Sequence, residues 1–360
     1  MKISIETVKL QELVAKSIKG VGNNKLLPIT CLMGIDIKDS VLTLMSTDGS
    51  NHLRVNTKLQ NQVEGSFHAV VNADLFSKLI AKVTSDEVSL ELLDSSLEVK
   101  GNGTYNLELP QNEDGGNTRF IDYLFEGGEG TVVNTATLQK SLTISKPAVA
   151  QTFVRPYLTG YYISNKVIAT DGLKVCSVEN ELLSSPMLIS AETAELLQLM
   201  TEENIVIERN GEKILFSTPS VILFTYQLED IESYPVEAIS QFVGLEFSRS
   251  VKLPKQLLLG VLDRLLLFVT EYDKNGVYLT FTENGMTLHS KKSNAKEMIP
   301  YLEPVENLMV TQILVDIEML RAQLQANTTD VANLWYGDER CIKMTFENTT
   351  QIVSLLTDES

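Results

Sequence analysis

The regular spacing of one recurring pattern constrains this chain more than any other feature. Six times, a short alternating run gives way to a polar or small residue and then to leucines at i, i+3 and i+4. That is the signature of a strand followed by an amphipathic helix. The spacing predicts helix starts at Glu6 (ETVKLQELVAKSI), Asn72 (NADLFSKLIAKV), Asn134 (NTATLQKSLTIS), Ser190 (SAETAELLQLM), Lys252 (KLPKQLLLGVLDRLL) and Val315 (VDIEMLRAQLQ). The intervals are 66, 62, 56, 62 and 63 residues. Asn72, Asn134 and Ser190 suit the N-cap position, because their side chains can accept from orphan N–H groups of the first turn. Alternating runs joined by tight turns follow each helix, with turns at Asp48-Gly49, Asn102-Gly103, Asp171-Gly172, Thr218-Pro219-Ser220, Glu283-Asn284-Gly285 and Glu347-Asn348.

A unit of about 60 residues with a single helix has a marginal core of its own. Two units packed helix to helix make a domain of about 120 residues, a common size. The chain is therefore expected to be α+β, with three similar domains over residues 1–128, 129–245 and 246–360. The Gly-rich stretch Phe125 to Gly130 marks the first boundary, and Gln241 to Ser248 marks a weaker second one.

Composition narrows the function classes. No run approaches eighteen apolar residues, so neither a membrane span nor a membrane partner is expected. The opening Met-Lys-Ile-Ser-Ile-Glu alternates like a strand and lacks a signal-peptide core. Cys31, Cys176 and Cys341 are far apart in apolar, strand-like runs, as expected of buried free thiols in a reducing cytoplasm. The three histidines (His52, His68, His289) lie in separate repeats, and HExxH, GxSxG and GxxxxGK[ST] are all absent. The glycines of Gly101-Asn102-Gly103 and Asp114-Gly115-Gly116 read as turns, and the acidic pairs Asp86-Glu87 and Glu202-Glu203 as solvated faces. No catalytic residue, metal or cofactor is expected. A net charge of −17 weighs against nucleic acid at first sight, because phosphate is bound through Lys and Arg.

The stretch YLTGYYISNKVIATDGLKVCSVE, Tyr157 to Glu179, reads as strand, turn, strand around Thr170-Asp171-Gly172. Asp and Gly turn a chain cheaply, so an isolated triplet of this kind is most simply a hairpin turn. A related triplet, Thr47-Asp48-Gly49, sits in a similar context earlier. With these repeats, the opening MKISIETVKLQELV, Leu27-Pro28-Ile29, Ala169-Thr170-Asp171-Gly172-Leu173-Lys174-Val175 and Tyr234-Pro235, the chain resembles the beta subunit of bacterial DNA polymerase III, the sliding clamp family. The likeness in length and element order covers the whole chain, and its sequence-specific part lies in the second domain.

The resemblance implies a ring of two three-domain protomers joined head to tail, with helices lining the hole and sheets outside. Such a ring encircles double-stranded DNA without sequence preference and tethers a polymerase, with no catalytic activity of its own. The partner groove it implies takes short peptides carrying Gln and Leu/Phe from polymerases and clamp loaders. By position that groove is Leu158, Thr170, Gly172, Leu173, Lys174, Val175, Pro235, Ile239, Val353 and Leu355. A glycine at 172 would allow close backbone approach. The DNA-facing candidates are Lys9, Lys16, Lys19, Lys78, Lys82, Lys140, Lys146, Lys252, Lys255, Arg264 and Arg321, with Lys25, Arg155 and Tyr157 in loops. Tyr105 and Leu107 of the first domain are expected to face Leu267 and Phe268 of a second copy.

The charge distribution agrees with such a lining. The helix segments 7–20, 72–85, 134–148, 190–203, 252–265 and 315–327 sum to +2, against −17 for the whole chain. The fourth, with Glu192, Glu195, Glu202 and Glu203, departs from this trend. Two positions depart from the family pattern: Leu173 stands where members usually have His, and the ending LLTDES lacks the usual Met/Leu-Pro-x-Arg. These departures fit a divergent member, such as one carried by a virus or mobile element. The competing expectation is a repeat-built protein-binding module that never encircles DNA.

Overall fold

The computed structural model describes residues 2–60, 65–120, 123–292, 294–305 and 310–357. In chain order the first elements are β1 (Lys2–Glu6), α1 (Thr7–Ser17), β2 (Leu32–Lys38), β3 (Val41–Thr47), β4 (His52–Lys58), β5 (Phe67–Asn72), α2 (Ala73–Lys82), β6 (Glu87–Leu92), β7 (Ser96–Lys100) and β8 (Thr104–Glu108). Then come β9 (Glu129–Asn134), α3 (Thr135–Ser145), β10 (Gly160–Ile163), β11 (Lys166–Thr170), β12 (Lys174–Glu179), β13 (Met187–Ser190), α4 (Ala191–Leu197), β14 (Asn204–Asn210), β15 (Lys213–Ser217) and β16 (Val221–Tyr226). The last are α5 (Val236–Val243), β17 (Arg249–Pro254), α6 (Lys255–Leu265), β18 (Gly276–Thr282), β19 (Gly285–Ser290), β20 (Lys296–Ile299), β21 (Thr311–Asp316), α7 (Ile317–Ala326), β22 (Val331–Tyr336), β23 (Cys341–Phe346) and β24 (Thr349–Ser354).

By packing, the chain falls into two compact units, residues 1–136 with 192–227 and residues 137–191 with 228–360. The first holds a four-stranded sheet, β1-β6-β7-β8, and an eight-stranded sheet, β5-β2-β3-β4-β16-β15-β14-β9. The second holds an eight-stranded sheet, β13-β10-β11-β12-β24-β23-β22-β17, and a four-stranded one, β20-β19-β18-β21. All named pairings are antiparallel. The segment 129–245 thus gives β9 and β14 to β16 to one sheet and β10 to β13 to the other. In each eight-stranded sheet the pairing most distant in sequence joins two four-stranded halves, β4 with β16 and β12 with β24.

The helices form where apolar spacing and caps coincide. α1 buries Leu10, Leu13, Val14 and Ser17, the i, i+3, i+4, i+7 stripe of one face. α2 begins at Asn72, whose side chain accepts from the Leu75 N–H at 2.9 Å, and buries Phe76 and Ile80. Two helices start later than the spacing implied. Lys252 lies in β17, and α6 starts only at Lys255, because Pro254 holds Leu253 in extended conformation. Val315 still lies in β21, and α7 starts after Asp316, whose carboxylate accepts from the Glu318 and Met319 N–H groups at 2.9 and 3.1 Å. Burial raises the Asp316 carboxyl above its usual range despite those bonds.

Two further expectations are corrected. The stretch 241–248 is linker only in its second half, because α5 runs through Val243 and ends at Gly244. The Lys343 ammonium donates to the carbonyls of Leu245 and Val243 at 2.5 and 3.4 Å, tying down that helix end. Cys176 and Cys341 are buried in strands, but Cys31 ends a 3-10 turn (Pro28–Cys31) and is half-exposed.

Candidate partner groove and helix cations

The turn between β11 and β12 is built by its own side chains. Thr170 Oγ1 donates to the Lys174 carbonyl at 2.6 Å and accepts from the Gly172 N–H at 3.1 Å. One oxygen of Asp171 accepts from the N–H groups of Leu173 and Lys174, both at 2.8 Å, and the other pairs with the Lys174 ammonium at 3.0 Å. Gly172 has φ +93°, which explains the glycine, while a Cβ there would meet nothing within 4 Å. The glycine is therefore required by the backbone and not by a close neighbour in this chain. Leu173 is pushed outward and is 52% exposed.

β12 lies beside β24, with Lys174 opposite Val353 and Val175 opposite Ile352. The Leu173 carbonyl accepts from the Ser354 N–H at 2.9 Å, so the turn is clamped onto the C-terminal strand. Next to it, Leu158, Ile168, Leu188, Tyr234 and Ile239 form one buried apolar cluster. Val175, Tyr162, Leu228, Val236 and Val243 pack against it and are only partly buried. Tyr234 stacks on Tyr162 at 5.3 Å, and its hydroxyl donates to the Ile168 carbonyl at 3.2 Å. Burial pushes the Tyr234 phenol well above its ordinary range. Pro235 immediately precedes α5, which rests against β24.

Of the ten groove candidates, the structure thus brings Leu158, Val175 and Ile239 together, with Thr170, Gly172, Leu173 and Lys174 in the turn and Pro235 at the start of α5. Val353 and Leu355 diverge from this grouping. Val353 is fully buried in the separate core around Leu324 and Leu334, and Leu355 packs against that same core. Alternation along β24 explains this, since residues two apart share a face. Sequence reasoning missed the partly exposed Tyr162, Leu228, Val236 and Val243. The last two carried a signal in the apolar spacing Val236, Ile239, Val243 of a short helix.

The basic candidates separate by their partners. Lys255 is 3% exposed, and its ammonium donates to the Asn327 carbonyl at the end of α7, so it does not face solvent or a duplex. Its position as the first residue of α6 turns the side chain toward α7 rather than outward. Lys252 is on a strand, not a helix, and pairs with Glu303 at 2.9 Å. Arg264 holds Glu297 through two nitrogens at 2.8 and 2.6 Å, which keeps that carboxyl below the usual range. Arg321 pairs with Asp263, and Lys78 with Asp74 at 2.8 Å. The Lys9 ammonium donates to the Lys58 carbonyl at 3.0 Å. Lys16, Lys19, Lys82 and Lys140 carry no ion pair among the described residues, nor do Lys25 and Arg155 in their loops. Lys146 is exposed at the end of α3, and Tyr157 is half-buried beside the groove cluster.

The interface candidates lie at a sheet edge and a helix end. β8 is an edge strand, on which Tyr105 is 39% exposed while Leu107 is only 6% exposed. Leu107 therefore offers an edge mainly through its backbone. Leu267 is 81% exposed, and Phe268 is half-exposed just after α6. Among the described residues no group of His, Cys, Asp and Glu is arranged to hold a metal, and no helix is long and apolar enough to cross a membrane.

Comparison with known proteins gives the fold a relative. Residues 1–114 match the family model described as DNA polymerase III beta subunit, N-terminal domain. No curated protein sequence matches the chain. The structure is similar to the beta subunit from DNA polymerase of Streptococcus pyogenes, with TM-score 0.87 and 16% identity over 99% of this chain and 100% of that one. It is similar to the DNA polymerase sliding clamp from Bacillus subtilis, with TM-score 0.85 and 18% identity over 99% of both chains. It is also similar to a sliding clamp from Pseudomonas aeruginosa bound to griselimycin, with TM-score 0.86 and 17% identity over 99% of both. The chain has the α+β fold of three similar domains that these structures share.

Proposed function

We propose that this chain is a DNA sliding clamp, a non-enzymatic ring that encircles duplex DNA and tethers a polymerase. The observation that carries the reading is the fold likeness over 99% or more of both chains, joined to the family match over residues 1–114. The three domains are residues 1–128, 129–245 and 246–360. Two copies join head to tail, with Tyr105 and the β8 edge of one protomer against Leu267, Phe268 and the β20 edge of its partner. Both β8 and β20 end their sheets, and joining them satisfies backbone groups that an open edge leaves unpaired.

The groove takes the anchor residues of a short Gln- and Leu/Phe-bearing peptide on Val175, Tyr162, Val236 and Val243. Partly exposed apolar side chains around a rigid turn are what such anchors need. The ring needs no tight grip on DNA, because topology retains it and weak phosphate contacts let it slide. The test is retention on nicked circular plasmid at high protein concentration, followed by gel filtration before and after linearisation. A clamp co-elutes with the circle and leaves the linear form. Equal elution with both, or a solution mass of one chain (40.0 kDa) rather than two, would refute the reading.

A further inference from the structure

The helix cations are not equivalent. Lys16 on α1, Lys19 just after it, Lys82 on α2 and Lys140 on α3 carry no ion pair among the described residues. Every charged candidate from β17, α6 and α7 is already committed: Lys252 to Glu303, Arg264 to Glu297 and Arg321 to Asp263, with Lys255 buried against the end of α7. The Arg264 contact is bidentate, the geometry in which a guanidinium and a carboxylate hold each other best. The Arg321 contact crosses from α7 to α6, beside a polar groove of about 570 Å³ that also contains the Asp263 carboxylate.

This difference matters for how a duplex is felt. Phosphate binding by a free lysine releases a condensed counterion, and each such contact adds about 0.9 to the slope of log K against log salt. An arginine that keeps its carboxylate is a dipole, not a net charge. To bind phosphate it must abandon the carboxylate, which then faces the phosphate unpaired. We propose that the electrostatic hold on the duplex is carried by the free lysines Lys16, Lys19, Lys82 and Lys140, and that Lys252, Lys255, Arg264 and Arg321 contribute none. The proposal rests on the clamp reading above. It makes the electrostatic contribution unequal along the chain.

The experiment compares two variants with the unaltered protein, titrating a short fluorescent duplex across a salt series. One variant removes the free charges: Lys16→Gln, Lys19→Gln, Lys82→Gln and Lys140→Gln. The other removes two complete pairs without changing net charge: Arg264→Gln with Glu297→Gln, and Arg321→Gln with Asp263→Asn. The lysine variant should lose about 0.9 of slope for each lysine that touches phosphate, and the pair variant should keep the original slope. Should the four-residue pair variant fold poorly, each pair is tested alone. A pair variant that loses slope as the lysine variant does, or a lysine variant that loses none, overturns the proposal while the clamp reading stands. If the unaltered protein neither associates with the duplex in a salt-dependent way nor stays on circular plasmid, both fall together.

Discussion

Replacing Lys255 by Met separates a structural lysine from a DNA-facing one. The side chain is 3% exposed, and its ammonium donates to the carbonyl of Asn327, the residue that ends α7. The Asn327 amide in turn donates to the Gln323 carbonyl and to Gln351 Oε1, both at 2.9 Å, so this lysine completes a buried network that joins α6, α7 and β24. Met keeps most of the methylene packing but leaves the Asn327 carbonyl without that partner. A lost hydrogen bond to a charged group costs about 1.5–3 kcal/mol, partly offset because an ammonium no longer has to be buried. A net loss of about 2 kcal/mol, at about 2–4 °C per kcal/mol for a unit of 150–250 residues, lowers the melting temperature by about 4–8 °C. The assay is a thermal melt paired with the salt dependence of duplex association. Lys255→Met should lower the melt and leave the salt slope unchanged. The reverse pattern, an unchanged melt with a reduced slope, would refute the burial argument and return Lys255 to the DNA-facing set.

Three other outcomes follow from the geometry. Because Gly172 has φ +93° but open space around it, Gly172→Asn should fold near normally, whereas Gly172→Val should cost about 1–3 kcal/mol; equal melts for the two would contradict a backbone cause. Leu267→Ala with Phe268→Ala should halve the solution mass measured by light scattering, and a variant as dimeric as the original protein would place the interface elsewhere. Burial pushes the Cys176 and Cys341 thiols up to about 11, so alkylation of the folded protein near pH 8 should label half-exposed Cys31 first, and peptide mass spectrometry showing Cys176 labelled equally fast would overturn the buried placement.

The repeat was legible because helices and hairpins announce themselves locally. Asn72 caps, Leu10 and Leu13 recur with helical spacing, and Gly49 and Gly172 sit where the backbone needs positive φ. What stayed hidden depends on contacts distant in sequence. Nothing in KLPKQ says that the second lysine turns inward onto a carbonyl at residue 327. The commitment of Arg264 to Glu297 and of Arg321 to Asp263 likewise joins segments that only the fold brings together. The groove was legible in part for the same reason: its turn is local, but its apolar wall comes from α5, a helix of eight residues beginning directly after a proline.

The two Thr-Asp-Gly turns show how one repeated element can serve two ends. In the first, Thr47 Oγ1 donates to the Asn51 carbonyl at 2.7 Å, the Gly49 N–H donates to Thr47 Oγ1 at 3.0 Å, and Asp48 accepts from the N–H groups of Ser50 and Asn51 at 2.8 and 2.7 Å. The second turn repeats every one of these bonds. They differ in the residue that follows the turn. Asn51 is buried, its side-chain N–H donates to Asp48 at 2.8 Å, and its Oδ1 accepts from Thr193 Oγ1 at 2.7 Å, so the base of the first turn is fastened to the interior. Lys174 holds Asp171 through its ammonium at 3.0 Å, with most of its side chain covered. Both turns keep the glycine and the residue after it exposed, and in the second Leu173 stands beside partly covered apolar side chains. The tips differ in one respect that bears on contact: the second exposes an apolar Leu173 where the first exposes a polar Ser50.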